Sequence, residues 1–220
     1  MLTNELIFII HAVIISIAVI VASRIGKEAL VALLCIQAVL SNLFVTKQII
    51  LFGLCATCAD VFSVGSSLSL NLLQEYFGKD ITKKAIWISF FILIFYLIMT
   101  QIHLVYAPNI FDFTQSHYAN LLQFAPRIVL ASLVAYLACQ YLDAILYGYF
   151  KEKFKNFILR NYSSLIISQF VDTLLFSFLG LYGIVEGFWQ IFLVSYGIKV
   201  LTIILAAPLV AFCRRLINAF

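Results

Sequence analysis

Long hydrophobic runs, separated by short charged or Pro/Gly-containing segments, make up most of the chain. A bilayer core of about 30 Å requires about 20 consecutive apolar residues per helix, so such runs predict membrane-spanning helices. Helices are expected throughout, because lipid satisfies no backbone polar group and the alternating pattern of a membrane β-barrel is absent. The pattern predicts an all-α integral membrane protein with seven spans. The predicted spans are residues 5–23, 29–48, 51–76, 85–107, 118–149, 161–182 and 188–213.

Two places along the chain bear on this count. Two apolar segments almost fuse between Lys47 and Gly53, which makes that boundary the weakest. The run 6–22 lacks a basic start and is preceded by Glu5, so we expect a retained span rather than a cleaved signal peptide. If this first run instead lay at the membrane interface, six spans would remain. In either case residues 1–220 form a single membrane domain without a soluble one.

The distribution of charge gives the orientation. Only 11% of the residues are charged while 64% are hydrophobic, and Lys and Arg accumulate on the cytoplasmic side of membrane proteins. Basic residues follow predicted spans one, three, five and seven, whereas loops 107–117 and 183–187 contain no Lys or Arg. This predicts an amino terminus outside and a carboxyl terminus in the cytoplasm. The net charge of +4 is spread over short loops rather than one face, so a nucleic-acid partner is not expected.

Three basic residues, Lys47, Arg127 and Lys199, fall within or at the edge of a predicted span. A charge near the bilayer centre costs about 3 kcal/mol or more, so such residues normally face the bundle interior and pair. Lys47 and Arg127 lie near span ends, where a long side chain can reach the surface. Lys199 lies too deep for that and requires a partner.

Four predicted spans carry polar residues at helical spacing, which places each set on one face. The sets are Asp60, Ser67, Asn71 and Glu75; Tyr136, Gln140, Asp143 and Tyr147; Ser164, Ser168 and Asp172; and Ser195, Tyr196, Lys199 and Thr202. Hydroxyls and amides can serve simply as contacts between helices. A buried carboxylate, however, tends to be protonated unless a cation lies next to it. We therefore predict that Asp172 and Lys199 line one cavity, as an ion pair or as ligands for a solute.

The motifs of several enzyme classes are missing from the sequence. No phosphate-binding Gly-x-x-x-x-Gly-Lys-Ser/Thr loop occurs, which excludes an ATPase within this chain. Cys55 and Cys58 are expected to pack within an apolar helix, and the three histidines have no helical partner ligand, so neither a metal nor another cofactor is expected. An intramembrane enzyme stays an alternative, because carboxylates within helices can perform acid–base chemistry.

An ordered set of strings resembles the queuosine precursor transporter family. The strings are SNLFVTKQ (41–48), NLLQEYFG (71–78), RIVLAS (127–132), QYLD (140–143) and SQFVDT (168–173), followed by Lys199 nine residues before Pro208. The similarity covers about residues 30–215. One departure is Asn71, where much of the family has Asp.

The resemblance implies a multi-pass protein of the bacterial inner membrane that imports a 7-deazaguanine (preQ0, preQ1 or queuine) for queuosine synthesis in tRNA. A guanine-like base presents N–H donors beside a carbonyl acceptor, which a carboxylate and a Lys or Gln can bind, while aromatic rings stack on its faces. The predicted substrate-binding residues are Glu75, Asn71, Arg127, Gln140, Asp143, Gln169, Asp172, Lys199 and Tyr196, with Tyr76 and Phe176 as further stacking candidates.

Several functional questions stay open at the level of sequence. A non-transporting membrane subunit or scaffold is the main alternative to a transporter. Proton coupling through Asp172 or Glu75 and facilitated diffusion with intracellular trapping fit the residues equally well. The preferred base is not determined, and small-residue helix faces are compatible with a homodimer.

Overall fold

The computed structural model describes the backbone of residues 3–153 and 157–218. Side chains are described for these residues except at 140, 143, 144, 147, 148, 151, 152, 157–162 and 205–218. The helices are α1 (Asn4–Ile25), α2 (Lys27–Phe44), α3 (Asp60–Phe77), α4 (Lys79–Val105), α5 (Gln115–Leu122), α6 (Ala125–Lys153), α7 (Phe157–Phe176) and α8 (Phe188–Asn218). A π-helical segment, Ser177–Leu181, continues α7, and two short strands, β1 (Gln48–Leu51) and β2 (Leu54–Thr57), precede α3.

The architecture is a helical bundle with an apolar exterior, as expected of a membrane protein. Five described segments are long and apolar enough to cross a bilayer. They are Asn4–Ile25, Lys27–Phe44, Lys79–Val105, Gln115–Cys139 and Ser163–Leu181. Large apolar side chains such as Ile14, Phe91 and Leu193 are exposed along these helices and α8. Such an apolar surface would be unfavourable in water but is favourable in contact with lipid.

Helix α3 forms the centre of one half of the bundle. Its residues Leu68, Leu72 and Leu73 are buried in a core that includes Val19 of α1 and Leu30 of α2. The same helix also contacts α4 and α8. Because α3 is packed among other helices, it can carry polar residues without placing them against lipid.

The prediction that a helix spans residues 51–76 is wrong at its amino-terminal end. Residues 48–57 form an antiparallel hairpin in which Leu51 pairs with Leu54, and the helix begins only at Asp60. The two turn residues, Phe52 and Gly53, both have positive φ angles of 49° and 79°, as a two-residue hairpin of the right twist requires. The prediction that Cys55 and Cys58 lie in a helix is wrong for the same reason, since Cys55 lies in β2 and Cys58 in the turn that follows it.

Side chains from other elements satisfy the backbone of this hairpin. Asn4 Nδ2 of α1 donates to the carbonyl of Ile50 (3.0 Å), and Glu5 accepts from the N–H of Phe52 (2.9 Å). The N–H of Cys55 donates to Gln190 Oε1 of α8 (2.9 Å). These bonds explain how non-helical backbone persists among apolar helices, because each polar group away from water needs a partner.

The predicted span 118–149 is divided into α5 and α6. The break falls at residues 123–124, and Pro126 occupies the first turn of α6, where its missing N–H costs nothing. The predicted span 161–182 is confirmed as α7 with the π-helical segment. The span count of seven and the orientation of the termini stay predictions.

Candidate functional site

A cavity of about 200 Å³ lies where β2, α2, α3, α6, α7, the π-helical segment and α8 meet. We refer to it as the ion-pair cavity. Its lining residues are Ser41, Val45, Thr57, Ala59, Asp60, Ser63, Ser132, Ala135, Tyr136, Asp172, Thr173, Phe176, Ser177, Leu181, Ser195 and Lys199. Hydroxyl groups, three ionisable side chains and two aromatic rings therefore face one small space.

Asp172 and Lys199 form the ion pair for which the cavity is named. Lys199 Nζ of α8 lies 2.6 Å from Asp172 Oδ2 of α7, and the two side chains are 22% and 16% exposed. A salt bridge of this length is charge-assisted and strong, yet both partners keep part of their surface open to the cavity. A polar solute in the cavity can thus reach both charges.

Asp60 is the second carboxylate in the cavity and lies in the first turn of α3. Its Oδ2 accepts from the N–H and the hydroxyl of Thr57, at 3.1 and 3.2 Å. Ser195 and Lys199 of α8 line the same cavity as this carboxyl group. The positive end of the α3 dipole also stabilises the carboxylate.

Two departures from regular helix shape the cavity wall. The hairpin ends at Thr57, so the first turn of α3 and its Asp60 begin inside the bundle rather than at its surface. At the end of α7 the helix widens into the π-helical segment, which contributes Ser177 and Leu181 to the cavity wall. π-Helical turns interrupt regular packing and occur frequently at functional sites.

The structure brings together only part of the predicted site. Asp172 and Lys199 line the ion-pair cavity, and so does Phe176. Asn71, Glu75 and Tyr76 do not line it; they lie in the last two turns of α3, at the far end of that helix from Asp60. The side chains of Gln140 and Asp143 are outside the described residues.

Three further predicted residues have contacts away from the cavity. Arg127 donates from Nε to the carbonyl of Leu179 (2.7 Å) and from Nη2 to that of Tyr182 (2.6 Å), at the end of the π-helical segment. Gln169 Nε2 lies 3.4 Å from the sulfur of Cys139. The hydroxyl of Tyr196 donates to a backbone carbonyl of α7 at 3.3 Å, and its ring stacks on another ring of α8.

Several cavity residues were absent from the predicted set, notably Asp60, Thr57, Ser132 and Ser177. The helical spacing did mark Asp60, Tyr136 and Ser195 as inward-facing, and that signal could have found them. Thr57 could not be placed in this way, because it belongs to a hairpin that the hydrophobic pattern concealed.

The chain matches the model of the family described as "Putative vitamin uptake transporter" over residues 57–213. It is also 30% identical over 198 residues to a protein of Bacillus subtilis (strain 168) named "Probable queuosine precursor transporter". That similarity covers 87% of this chain and 86% of the relative. No solved structure matches the chain.

The family match starts at Thr57 and so includes almost the whole ion-pair cavity, from the end of the hairpin to α8. Transport across a membrane needs a solute site inside a helical bundle and no covalent chemistry, and the ion-pair cavity lies inside such a bundle. The protein is a membrane transporter of small molecules rather than an enzyme, and it belongs to the vitamin uptake transporter family.

Proposed function

We propose that this transporter imports queuosine precursors, the 7-deazaguanine bases, across the bacterial inner membrane, and that the ion-pair cavity binds the base. The name of the Bacillus subtilis relative supports the substrate class. The observation on which the proposal depends is that Asp172 and Lys199 are paired at 2.6 Å and both open onto the cavity.

The edge of a guanine-like base matches this pair chemically. The ring carbonyl lies directly beside a ring N–H and close to an exocyclic amino group. A carboxylate accepts from the two donors while an ammonium donates to the carbonyl. Because Asp172 and Lys199 are already adjacent, one flat ligand can contact both without separating them.

The remaining walls suit a small flat solute. Tyr136 and Phe176 offer ring faces or edges against which a purine-like ring can pack. Drug-sized ligands occupy cavities of roughly 300–1,000 Å³, so about 200 Å³ fits a single fused ring system with a short arm better than a larger metabolite.

Transport requires the cavity to open alternately to either side. Lys199 lies eleven residues after the start of α8 at Phe188, roughly 16 Å along the helix axis, which corresponds to the middle of a 30 Å bilayer. With seven spans, an external amino terminus and a cytoplasmic carboxyl terminus, the hairpin lies on the external side of this site. A midplane site then exchanges sides through shifts in the relative stability of two bundle conformations.

The proposal is tested in cells that cannot synthesise the deazaguanine precursor. Supplying this chain together with external base should restore queuosine in tRNA, whereas the Asp172→Asn/Lys199→Met double variant should not. Matched controls are Asp112→Asn and Lys27→Met, the same changes at exposed positions away from the cavity. Failure of the wild-type chain to restore queuosine despite normal membrane expression would refute the proposal and favour a non-transporting subunit.

A further inference from the structure

The ion-pair cavity is lined by three ionisable side chains, Asp60, Asp172 and Lys199. Lys199 bonds directly to Asp172 at 2.6 Å. Among the described side chains that line the cavity, two carboxyl groups therefore share one ammonium, and Asp60 is the carboxyl group that is not in the salt bridge.

Asp60 is fixed in the cavity wall by hydrogen bonds to one of its carboxyl oxygens. Its Oδ2 receives the N–H of Thr57, and a backbone N–H can only donate. The side chain is 8% exposed, so its charged form depends on a cation inside the cavity rather than on bulk water. Lys199 is already paired with Asp172. A cationic group entering the cavity next to Asp60 would therefore be favoured.

The perimeter of a 7-deazaguanine carries complementary groups. The ring N–H and amino group lie on one side of the carbonyl, and the substituent at position 7 lies on its other side. If Asp172 takes the N–H donors and Lys199 the carbonyl, the arm at position 7 lies on the side of the carbonyl away from Asp172, and Asp60 is the other carboxyl group in the described cavity wall. An aminomethyl arm is protonated near neutral pH, as unperturbed alkyl amines are, whereas a cyano or methyl arm is neutral.

We infer that Asp60 is a specificity-determining residue, which makes this transporter prefer 7-deazaguanines with a cationic aminomethyl arm over those with a neutral arm. The inference rests on the proposed function and deepens it. A neutral arm leaves the Asp60 carboxylate next to a group that cannot neutralise it, while the ammonium arm completes the charge balance of the cavity.

The test is competition for uptake by the whole chain in cells, with three unlabelled competitors against one labelled 7-deazaguanine. The competitors carry 7-aminomethyl, 7-cyano and 7-methyl arms, of which the methyl compound separates charge from size. We expect the aminomethyl base to compete at a concentration about tenfold or more below that of either neutral base, a difference equivalent to about 1.4 kcal/mol.

Variants assign the preference to one side chain. The quantity compared is the ratio of the competing concentration of a neutral base to that of the aminomethyl base. Asp60→Asn should reduce this ratio to nearly one while the cyano and methyl bases still compete. The exposed Asp112→Asn should leave the ratio unchanged. An equal ratio in the wild type, or an unaltered ratio in Asp60→Asn, would overturn the inference while leaving the proposed function intact. If the labelled base is not taken up at all, the proposed function itself fails. Even if Asp60→Asn does not reach the membrane, the wild-type measurement still tests the preference itself, and equal competition by the three bases overturns the inference.

Discussion

Removal of one partner of the Asp172–Lys199 pair should destabilise the protein, and removal of both should cost less than the two single losses combined. Two unit charges 2.6 Å apart attract by roughly 6 kcal/mol at an effective dielectric constant of 20. Desolvation offsets much of this attraction, and the cavity leaves 22% and 16% of the two side chains exposed. We therefore expect a net coupling on the order of 2 kcal/mol.

The assay is a double-mutant cycle of thermal unfolding on the purified protein, with Asp172→Asn, Lys199→Met and the double variant. For chains of 150–250 residues about 1 kcal/mol corresponds to about 2–4 °C, so each single change should lower Tm by roughly 4–8 °C. The double variant should be no less stable than either single variant, because neither member of the salt bridge is left without its partner. Strictly additive losses would show that the two charges are uncoupled and would refute the reasoning.

Three further predictions concern the cavity surroundings. Gly187→Ala should lower Tm more than Gly183→Ala. Both glycines have positive φ, but only at Gly187 would an added Cβ lie 2.9 Å from the sulfur of Cys55. Equal decreases in Tm would contradict this close packing. Gln190→Leu should increase labelling of the Cys55 thiol by maleimide, because the hairpin loses the acceptor of its N–H; unchanged labelling would show that this bond does not anchor the hairpin. Arg127→Met should reduce Tm through the loss of its two bonds to backbone carbonyls but leave base affinity unchanged, and weaker base binding with unchanged Tm would instead place Arg127 in the site.

The hydrophobic pattern predicted the class of fold and most helix positions, since a bilayer imposes one length and one composition on every outer helix. It failed at residues 48–57, where the β-hairpin is as apolar as a helix and its backbone is satisfied by distant side chains such as Asn4 and Gln190. Such long-range partners leave no periodic trace in the sequence. The turn sequence gives no clear signal either, because Phe52 has a positive φ angle that a bulky residue rarely adopts.

The ion pair in the cavity was predictable from the sequence, because a charge within a membrane span normally requires a partner. Lys199 lies too far into its predicted span to reach the membrane surface, so it required a partner, and Asp172 was the predicted one. The two side chains are paired in the structure. The uncharged lining, such as Ser132 and Ser177, could not be distinguished from ordinary hydroxyl contacts between helices. Likewise, helical spacing gave the face on which Glu75 lies but not the level of the cavity along α3.

The most direct measurement is equilibrium binding of a 7-deazaguanine to the purified transporter, compared between the wild type and the folded Asp172→Asn/Lys199→Met double variant. If the base occupies the ion-pair cavity, the wild type binds it and the double variant, although folded, binds it at least about a hundredfold more weakly, as expected when two charge-assisted hydrogen bonds are lost. Equal affinity of the two proteins would contradict the assignment of the cavity as the substrate site.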